Sequence, residues 1–138
     1  MNIKIYRGFT NLPEIGTIIT TRKNRTPKHL SIEKHNEVDK YFDEKFGIKF
    51  RSQSVFCTGD IKTASEYGKV AIIEPIGEFE VCWSPICFDL IEIEDFTWMT
   101  TEEFILENRY QIGNVQSALE SGNEIMLFCE KYKVISYE

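Results

Sequence analysis

The sequence lacks any long hydrophobic run. No stretch of its 138 residues comes near the length of roughly 18 apolar residues that a membrane-spanning helix needs. The first nine residues, MNIKIYRGF, lack the basic start and long apolar core of a secretory signal peptide. We therefore expect a cytoplasmic protein with no membrane partner.

Cysteine pairs at metal-binding or redox spacing are also lacking. The four cysteines, Cys57, Cys82, Cys87 and Cys129, form no C-x-x-C motif, and the two histidines do not lie at zinc-site spacing from them. Three of the four lie in apolar, strand-like runs, where a free cysteine behaves as a small hydrophobic residue. We expect reduced cysteines and no metal site, with both histidines at the surface.

Basic residues are scarce relative to acidic ones. Sixteen Lys and Arg stand against 22 Asp and Glu, which gives a net charge of −6. This balance argues against direct nucleic-acid binding, because phosphate is attracted by local positive charge. The only dense basic stretch is TRKNRTPKH, at positions 21–29. It is either a solvated loop or a patch that binds an anion or a partner.

The common nucleotide-binding motifs are missing as well. The chain has neither a G-x-G-x-x-G motif after a strand nor a P-loop, so it does not read as a Rossmann or P-loop protein.

The chain is rich in aromatic residues, which make up 13% of it and include ten Phe and six Tyr. Disordered chains are poor in aromatics. The length fits one globular domain, 1–138.

Apolar periodicity predicts about seven strands and four helices that do not alternate strictly. The first strand covers residues 2–9, with Ile3 and Ile5 on one face. KVAIIEPI and EFEVCW each have the pattern of a strand, with a turn at PIGE between them. NEIMLFC and YKVIS close the chain as two further strands. These elements favour an α+β fold with a mostly antiparallel or mixed sheet.

Helix boundaries are marked by capping residues. A helix is expected over residues 30–46, where apolar residues repeat in steps of four between Ser31 as N-cap and Gly47 as terminating glycine. The other three helices are expected to begin or end at residues that favour helix termini: Asp60, Thr100 with Glu103, and Gly122.

Three spaced motifs together point to a family. They are YRG at Tyr6–Gly8, VFCTGDIKTASEYG at Val55–Gly68 and NEIML at Asn123–Leu127. This order resembles the mono-ADP-ribosyltransferases of the Arg–Ser–Glu type. Members of that family read roughly Y-R-G, then F-x-S-T-S before a short helix, then a Glu that opens a strand. The resemblance spans most of the chain, but only about twenty positions carry it.

The resemblance implies a fold and an activity. The fold is an α+β, split two-sheet core, mixed or antiparallel, with flanking helices and NAD in the cleft between the sheets. The activity is transfer of ADP-ribose from the co-substrate NAD to a macromolecular acceptor, which we expect to be a host protein. A small stand-alone effector, such as a phage-encoded protein or a toxin, would have this size.

The resemblance also assigns roles to single residues. Glu124 would be the catalytic carboxylate that stabilises positive charge on the ribose; taken alone, it is an exposed acid at a strand end. Arg7 would contact the phosphates of NAD; taken alone, it is a salt-bridged arginine. Gly8 would let the backbone approach the nicotinamide, or it is simply a turn glycine. Tyr67 would stack on the nicotinamide, or it packs in the core.

The sequence departs from the family pattern at the second motif. Cys57, Thr58 and Gly59 stand where the family has Ser-Thr-Ser, and a thiol is a weak hydrogen-bond donor. The hydroxyl of the site would then come from Thr58, or from Ser54 or Ser52 just upstream. If the resemblance is real, Arg7, Thr58 and Glu124 should line one cleft.

A second departure concerns the acceptor. Arginine-modifying members of the family carry Glu or Gln two positions before the catalytic Glu, where this chain has Gly122. An arginine acceptor is therefore not favoured, and Asn123 is the candidate for a polar contact to the substrate. Two other functions stay open: a non-enzymatic, acidic interaction or inhibitor protein on the same scaffold, and an NAD glycohydrolase in which water replaces the acceptor.

Overall fold

The computed structural model describes residues 4–137, so Ile3 lies outside the described residues. The fold is α+β, as predicted. Its strands are β1 (Ile5–Phe9), β2 (Ile18–Thr20), β3 (Val55–Cys57), β4 (Lys69–Trp83), β5 (Gln111–Ile112) and β6 (Ile125–Ser136). Its α-helices are α1 (Ile32–Phe46), α2 (Phe50–Gln53), α3 (Ile61–Ser65), α4 (Thr101–Glu107) and α5 (Val115–Ser121), and a 3-10 helix covers Leu90–Asp95. Within residues 4–137, no helix combines the length and the apolarity that crossing a membrane requires.

All six strands belong to one antiparallel sheet. The order is β1-β4-β6-β2, with β3 paired to β6 and β5 paired to β4. Tyr6 of β1 and Thr58, which follows β3, exchange two backbone hydrogen bonds of 2.8 and 2.9 Å, which bring β1 next to the end of β3. The resemblance implied two separate sheets, but this part of the chain forms a single open sheet.

The two longest strands correct the sequence prediction. KVAIIEPI and EFEVCW are one strand, β4, and NEIMLFC and YKVIS lie in another, β6. The β4–β6 ladder shifts register between Ile76 and Phe79, around Gly77, whose φ is +79°. A glycine between two strand-like runs is compatible with a bulge as well as with a turn. Here it bends the strand, which then continues along the same neighbour.

Helices and strands cover both faces of the middle of the sheet. On one face, Cys82 and Met126 pack into a cluster with Phe42 of α1, Phe50 of α2 and Phe104 of α4. The next residues along β4 and β6 point the other way and pack around Ala118 of α5 in a second cluster that includes Val81, Trp83, Ile125 and Leu127. This two-residue period is the normal alternation of a strand. The ends of β3 and β6 are thereby fixed between two packed layers.

The predicted capping residues are confirmed, although the first helix begins at Ile32 and not at residue 30. The Ser31 side chain accepts a hydrogen bond from the Lys34 amide at the start of α1, and Gly47 ends that helix with φ +79°. Asp60 caps α3, Thr100 and Glu103 form a capping box on α4, and Gly122 ends α5 in a left-handed conformation. The short elements α2, β5 and the 3-10 helix were not predicted, because elements of six residues or fewer carry too little hydrophobic periodicity.

Gly8 lies inside a strand and is not a turn residue. β1 continues through Gly8, which pairs with Val70, to Phe9. A Cβ atom at Gly8 would lie 2.5 Å from the Ala64 carbonyl oxygen of α3. The glycine therefore allows α3 to pack directly on the strand that carries Arg7.

Replacing Gly59 with alanine should measurably lower the stability of the protein. A Cβ atom there would lie 2.0 Å from the Leu119 carbonyl oxygen and 2.6 Å from its carbon, both backbone atoms of α5. We expect Gly59→Ala to lower the free energy of unfolding by about 3 kcal/mol, because the helix must move away. Urea denaturation measures this change.

Gly77→Ala is the matched control for that substitution. No atom of the described residues 4–137 lies within 4 Å of a Cβ atom at Gly77, and only its φ of +79° opposes a side chain. The control should cost about 1 kcal/mol. Equal losses in the two variants would show that α5 does not pack on Gly59 as described.

Candidate functional site

One cavity of about 420 Å³ collects residues from several parts of the chain. β1, β3 and α3 contribute Arg7, Phe56 and Ala64, Glu124 comes from the position just before β6, and the basic stretch 21–29 closes one side with Arg25. Thr58, which follows β3, also lines it. Arg7, Thr58 and Glu124 thus share one cleft, as the sequence-based expectation requires. Their chemical roles stay predictions.

Glu124 is held inside the protein and is not a solvated strand end. Its side chain is 12% exposed. Its backbone N–H donates to the Phe88 carbonyl at 2.9 Å. Its Oε1 atom accepts hydrogen bonds from Arg51 Nη1 at 3.1 Å and from the Leu90 amide at 3.2 Å. Both bonds fall on the same oxygen, so the other carboxylate oxygen takes part in neither.

Burial raises the pKa of the Glu124 carboxyl above its ordinary value of 4.5, since a buried charge loses its hydration. Arg51 lowers the pKa because its positive charge favours the carboxylate. Asp89 raises it by repulsion, and the Leu90 amide lowers it. Burial outweighs the two favourable contacts, so Glu124 takes up a proton at a higher pH than an exposed glutamate does.

Two arginines of this cavity contain a buried donor with no acceptor. Arg7 donates from Nη1 to the Phe56 carbonyl at 2.8 Å, and its guanidinium lies 5.1 Å from the centre of the Phe9 ring. Arg51 binds Glu124 through Nη1. In the part of the chain that the structure describes, the Nε atoms of both arginines are buried without a hydrogen-bond partner. Such a group is costly unless an acceptor satisfies it.

A third arginine comes from the basic stretch 21–29. The Arg25 and Arg51 guanidiniums lie 4.7 and 4.4 Å from the centre of the Phe56 ring. Burial lowers the pKa of Arg25 to about 10, and repulsion from Arg7, Arg22 and Arg51 adds to the effect. Arg7, Arg25 and Arg51 therefore make one side of the cavity wall electropositive, although Glu66, Asp89 and Glu124 also line the cavity.

The Ser-Thr-Ser position of the family is occupied by side chains with structural contacts. The Thr58 hydroxyl donates to the Gly122 carbonyl at 3.1 Å and accepts from the Asp60 amide at 3.2 Å. The Cys57 thiol donates to the Ile125 carbonyl at 3.7 Å, and burial raises its pKa to about 12. Ser54 is fully buried and is not among the residues that line the cavity. Of these hydroxyls, only that of Thr58 reaches the cavity wall.

Tyr67 lines the cavity mouth and does not pack in the core. It is 56% exposed, and its hydroxyl donates to Asp89 Oδ2 at 2.5 Å. Burial of the hydroxyl and the bond to Asp89 raise the pKa of Tyr67. Asn123, the predicted substrate contact, lies outside the lining of this cavity. Its Nδ2 donates to the Ser84 carbonyl at 2.9 Å, which fixes the loop before Glu124.

Two residues of the cavity were not expected there. Arg51 belongs to the one-turn helix α2, whose amide groups at Arg51 and Ser52 donate to Asp39 Oδ1 at 2.8 and 3.3 Å. His35 was expected at the surface, which is wrong: it is 5% exposed and its Nε2 lies 3.8 Å from Asp39 Oδ2. Burial lowers the pKa of His35, against the pull of Asp39. Arg51 has no local sequence signal, since it depends on Asp39 of another helix, whereas His35 and Asp39 lie four residues apart in α1.

Comparison with known proteins identified no relative of this chain. No protein-family model, no curated protein and no solved structure matches the chain. The function must therefore be argued from the cavity alone.

Proposed function

We propose that this protein is an NAD-dependent mono-ADP-ribosyltransferase that transfers ADP-ribose to a macromolecular acceptor and releases nicotinamide. The observation that carries the proposal is one cavity whose wall contains a largely buried carboxylate, Glu124, together with Arg7 and Arg25. This pairing suits a substrate that carries a pyrophosphate and develops positive charge on the ribose attached to it. We place the activity in the cytoplasm.

The residues of the cavity fit NAD as a substrate. A volume of about 420 Å³ lies within the range of small-molecule sites. The buried Nε donor of Arg7 has no acceptor within residues 4–137, and a phosphate oxygen would supply one. Tyr6 and Tyr67 add aromatic side chains to the wall. Arg7 and Arg25 are thus the proposed phosphate contacts, and Tyr67 is the proposed contact to the nicotinamide.

Glu124 would act on the bond that breaks. In the transfer, the bond between ribose and nicotinamide is broken, a bond from ribose to a nucleophile of the acceptor is formed, and the nucleophile loses its proton. Positive charge develops on the ribose meanwhile, and a fixed carboxylate stabilises it. Arg51 and the Leu90 amide hold Glu124 by Oε1, so the carboxylate need not reorient during the reaction.

A second candidate function is anion binding without turnover. Its support is that Glu124 is already paired with Arg51 at 3.1 Å, while Thr58 and Cys57 make contacts within the protein. A protein of this kind would use the arginines to hold an anionic ligand or partner. It would show no chemistry on NAD.

Labelled NAD distinguishes these functions. The purified protein is incubated with NAD labelled in its adenylate half, with and without a cell lysate. Transfer of label to macromolecules is the expected result. Free ADP-ribose as the sole product would instead identify an NAD glycohydrolase. If no product forms and NAD does not raise the melting temperature, the enzyme proposal is wrong, because a ligand at 100 times its Kd stabilises by about 2.7 kcal/mol.

A further inference from the structure

A second, smaller cavity adjoins the first and differs from it in charge. Its volume is about 200 Å³, and it shares Arg7, Arg25 and Lys28 with the first cavity. Arg22 is its fourth basic side chain, and among residues 4–137 no acidic residue lines it. The first cavity has acidic side chains, Glu124 among them. The positive charge of the second cavity is therefore uncompensated by its own walls.

The basic stretch that lines both cavities is anchored at two points. The Thr21 amide donates to the Glu130 carbonyl of β6 at 2.9 Å, and the Arg25 amide donates to the Ser52 carbonyl at 3.0 Å. Arg25 is partly buried, whereas Arg22 and Lys28 are exposed. The stretch is thus more than a solvated loop. It presents cationic side chains from a backbone fixed against the sheet and against α2.

The charges of the chain are divided along its length. Residues 1–29 contain six of the 16 basic side chains but only one of the 22 acidic ones. The net charge of −6 argued against nucleic-acid binding. This sum does not reveal that the basic side chains of residues 1–29 have almost no acidic neighbours in sequence. Burial is the main cause of the low pKa of Arg25, and repulsion among these cations adds to it. A bound polyanion would relieve that repulsion.

We propose that Arg22, Arg25 and Lys28 form a binding surface for the phosphate backbone of single-stranded nucleic acid, with one phosphate group in the second cavity. A cavity of about 200 Å³ can accept a phosphate group but not a duplex. Arg25 and Lys28 also line the first cavity, so the cationic side chains extend from one cavity to the other and match the repeated charges of a strand better than one free ion.

The adjoining first cavity strengthens the preference for a single strand. Tyr6, Phe9 and Tyr67 lie in its wall. Proteins that bind single strands combine a positively charged groove with aromatic side chains on which unpaired bases stack. Binding to this surface needs no cleavage of NAD.

Fluorescence polarisation tests the surface directly. Fluorescein-labelled single-stranded DNA and RNA oligonucleotides of about 12 nucleotides are titrated with the full chain, without NAD, at several KCl concentrations. We expect micromolar binding at low salt. Arg22→Gln with Lys28→Gln should weaken it at least about fivefold, and the slope of log K against log salt should become shallower by about 1.4, since each lost phosphate contact contributes about 0.7.

The control changes two exposed lysines away from the basic stretch, Lys40→Gln with Lys49→Gln, and has the same net charge. It should bind like the wild type. Absence of oligonucleotide binding, equal loss in both double variants, or tighter binding of a duplex would each overturn the proposal. So would inorganic phosphate that raises the melting temperature while no oligonucleotide binds, which would indicate a small-anion site. Because NAD is left out, a failure of the proposed transferase activity does not affect these outcomes.

Discussion

Glu124→Gln is expected to lower the rate of NAD cleavage on the order of a hundred- to a thousandfold. Loss of one fixed group that stabilises transition-state charge has an effect of this size. Glutamine has nearly the same shape and can still accept the Leu90 amide bond that Glu124 accepts at 3.2 Å. The variant therefore removes the negative charge while it keeps the position of the side chain. Release of nicotinamide, followed with time, measures the rate.

The pH profile separates a catalytic carboxylate from a structural one. Burial raises the pKa of Glu124 above 4.5, so the ionised form is reached at a higher pH than for an exposed glutamate. The wild-type rate should rise with pH through that raised pKa, and the small residual rate of Glu124→Gln should lack this rise.

Glu78→Gln is the control for Glu124→Gln, because Glu78 is an exposed glutamate of β4 outside the cavity. It should keep the wild-type rate and pH profile. A Glu124→Gln protein that folds and cleaves NAD at the wild-type rate would contradict the role given to Glu124.

The candidate site could be predicted from the sequence only where each motif is local. YRG and the Glu before IMLFC stand out because a polar residue interrupts or opens an apolar strand, and the structure places Arg7 and Glu124 in one cavity. Arg51 gives no such signal. It reaches Glu124 from 73 residues away in sequence, and its helix has a single turn whose amides depend on Asp39.

The difference between local and long-range signals also explains which parts of the fold could be predicted from the sequence. Helix termini were predicted correctly because a cap is made by residues three or four positions apart, as in the capping box of Thr100 and Glu103. The continuity of β4 and β6 was missed because it depends on pairing between distant strands. Gly77 carries the same local signal whether the chain turns back or bends. Only the shared partner, β6, decides between these outcomes.

Arg51 and Glu124 connect the stability of the protein to its proposed chemistry. Both side chains are largely buried, at 9% and 12% exposure. A carboxylate without a partner at that depth would take up a proton, because burial already raises its pKa. Arg51 opposes this effect and keeps more of the carboxylate ionised. The ion pair is thus what makes a buried, charged Glu124 compatible with a folded protein.

Arg51→Met should lower the free energy of unfolding by about 3 kcal/mol at pH 7, because it leaves the carboxylate of Glu124 buried without its partner. The loss should be smaller near pH 4.5. Without Arg51, the pKa of Glu124 in the folded protein rises further above its pKa in the unfolded chain. The variant therefore keeps its stability below the unfolded-state pKa of Glu124 and loses stability as the pH rises through the folded-state pKa. Urea denaturation at the two pH values measures both effects.

The same substitution in a Glu124→Gln background isolates the ion pair. Arg51 also stacks on the Phe56 ring at 4.4 Å, and that contact is lost in either background. The difference between the two Arg51→Met effects is therefore the coupling of Arg51 to the charge of Glu124. This coupling should account for most of the loss at pH 7 and should fade toward pH 4.5. A loss of equal size in both backgrounds, independent of pH, would mean that Arg51 acts through packing on Phe56 and does not hold Glu124 ionised.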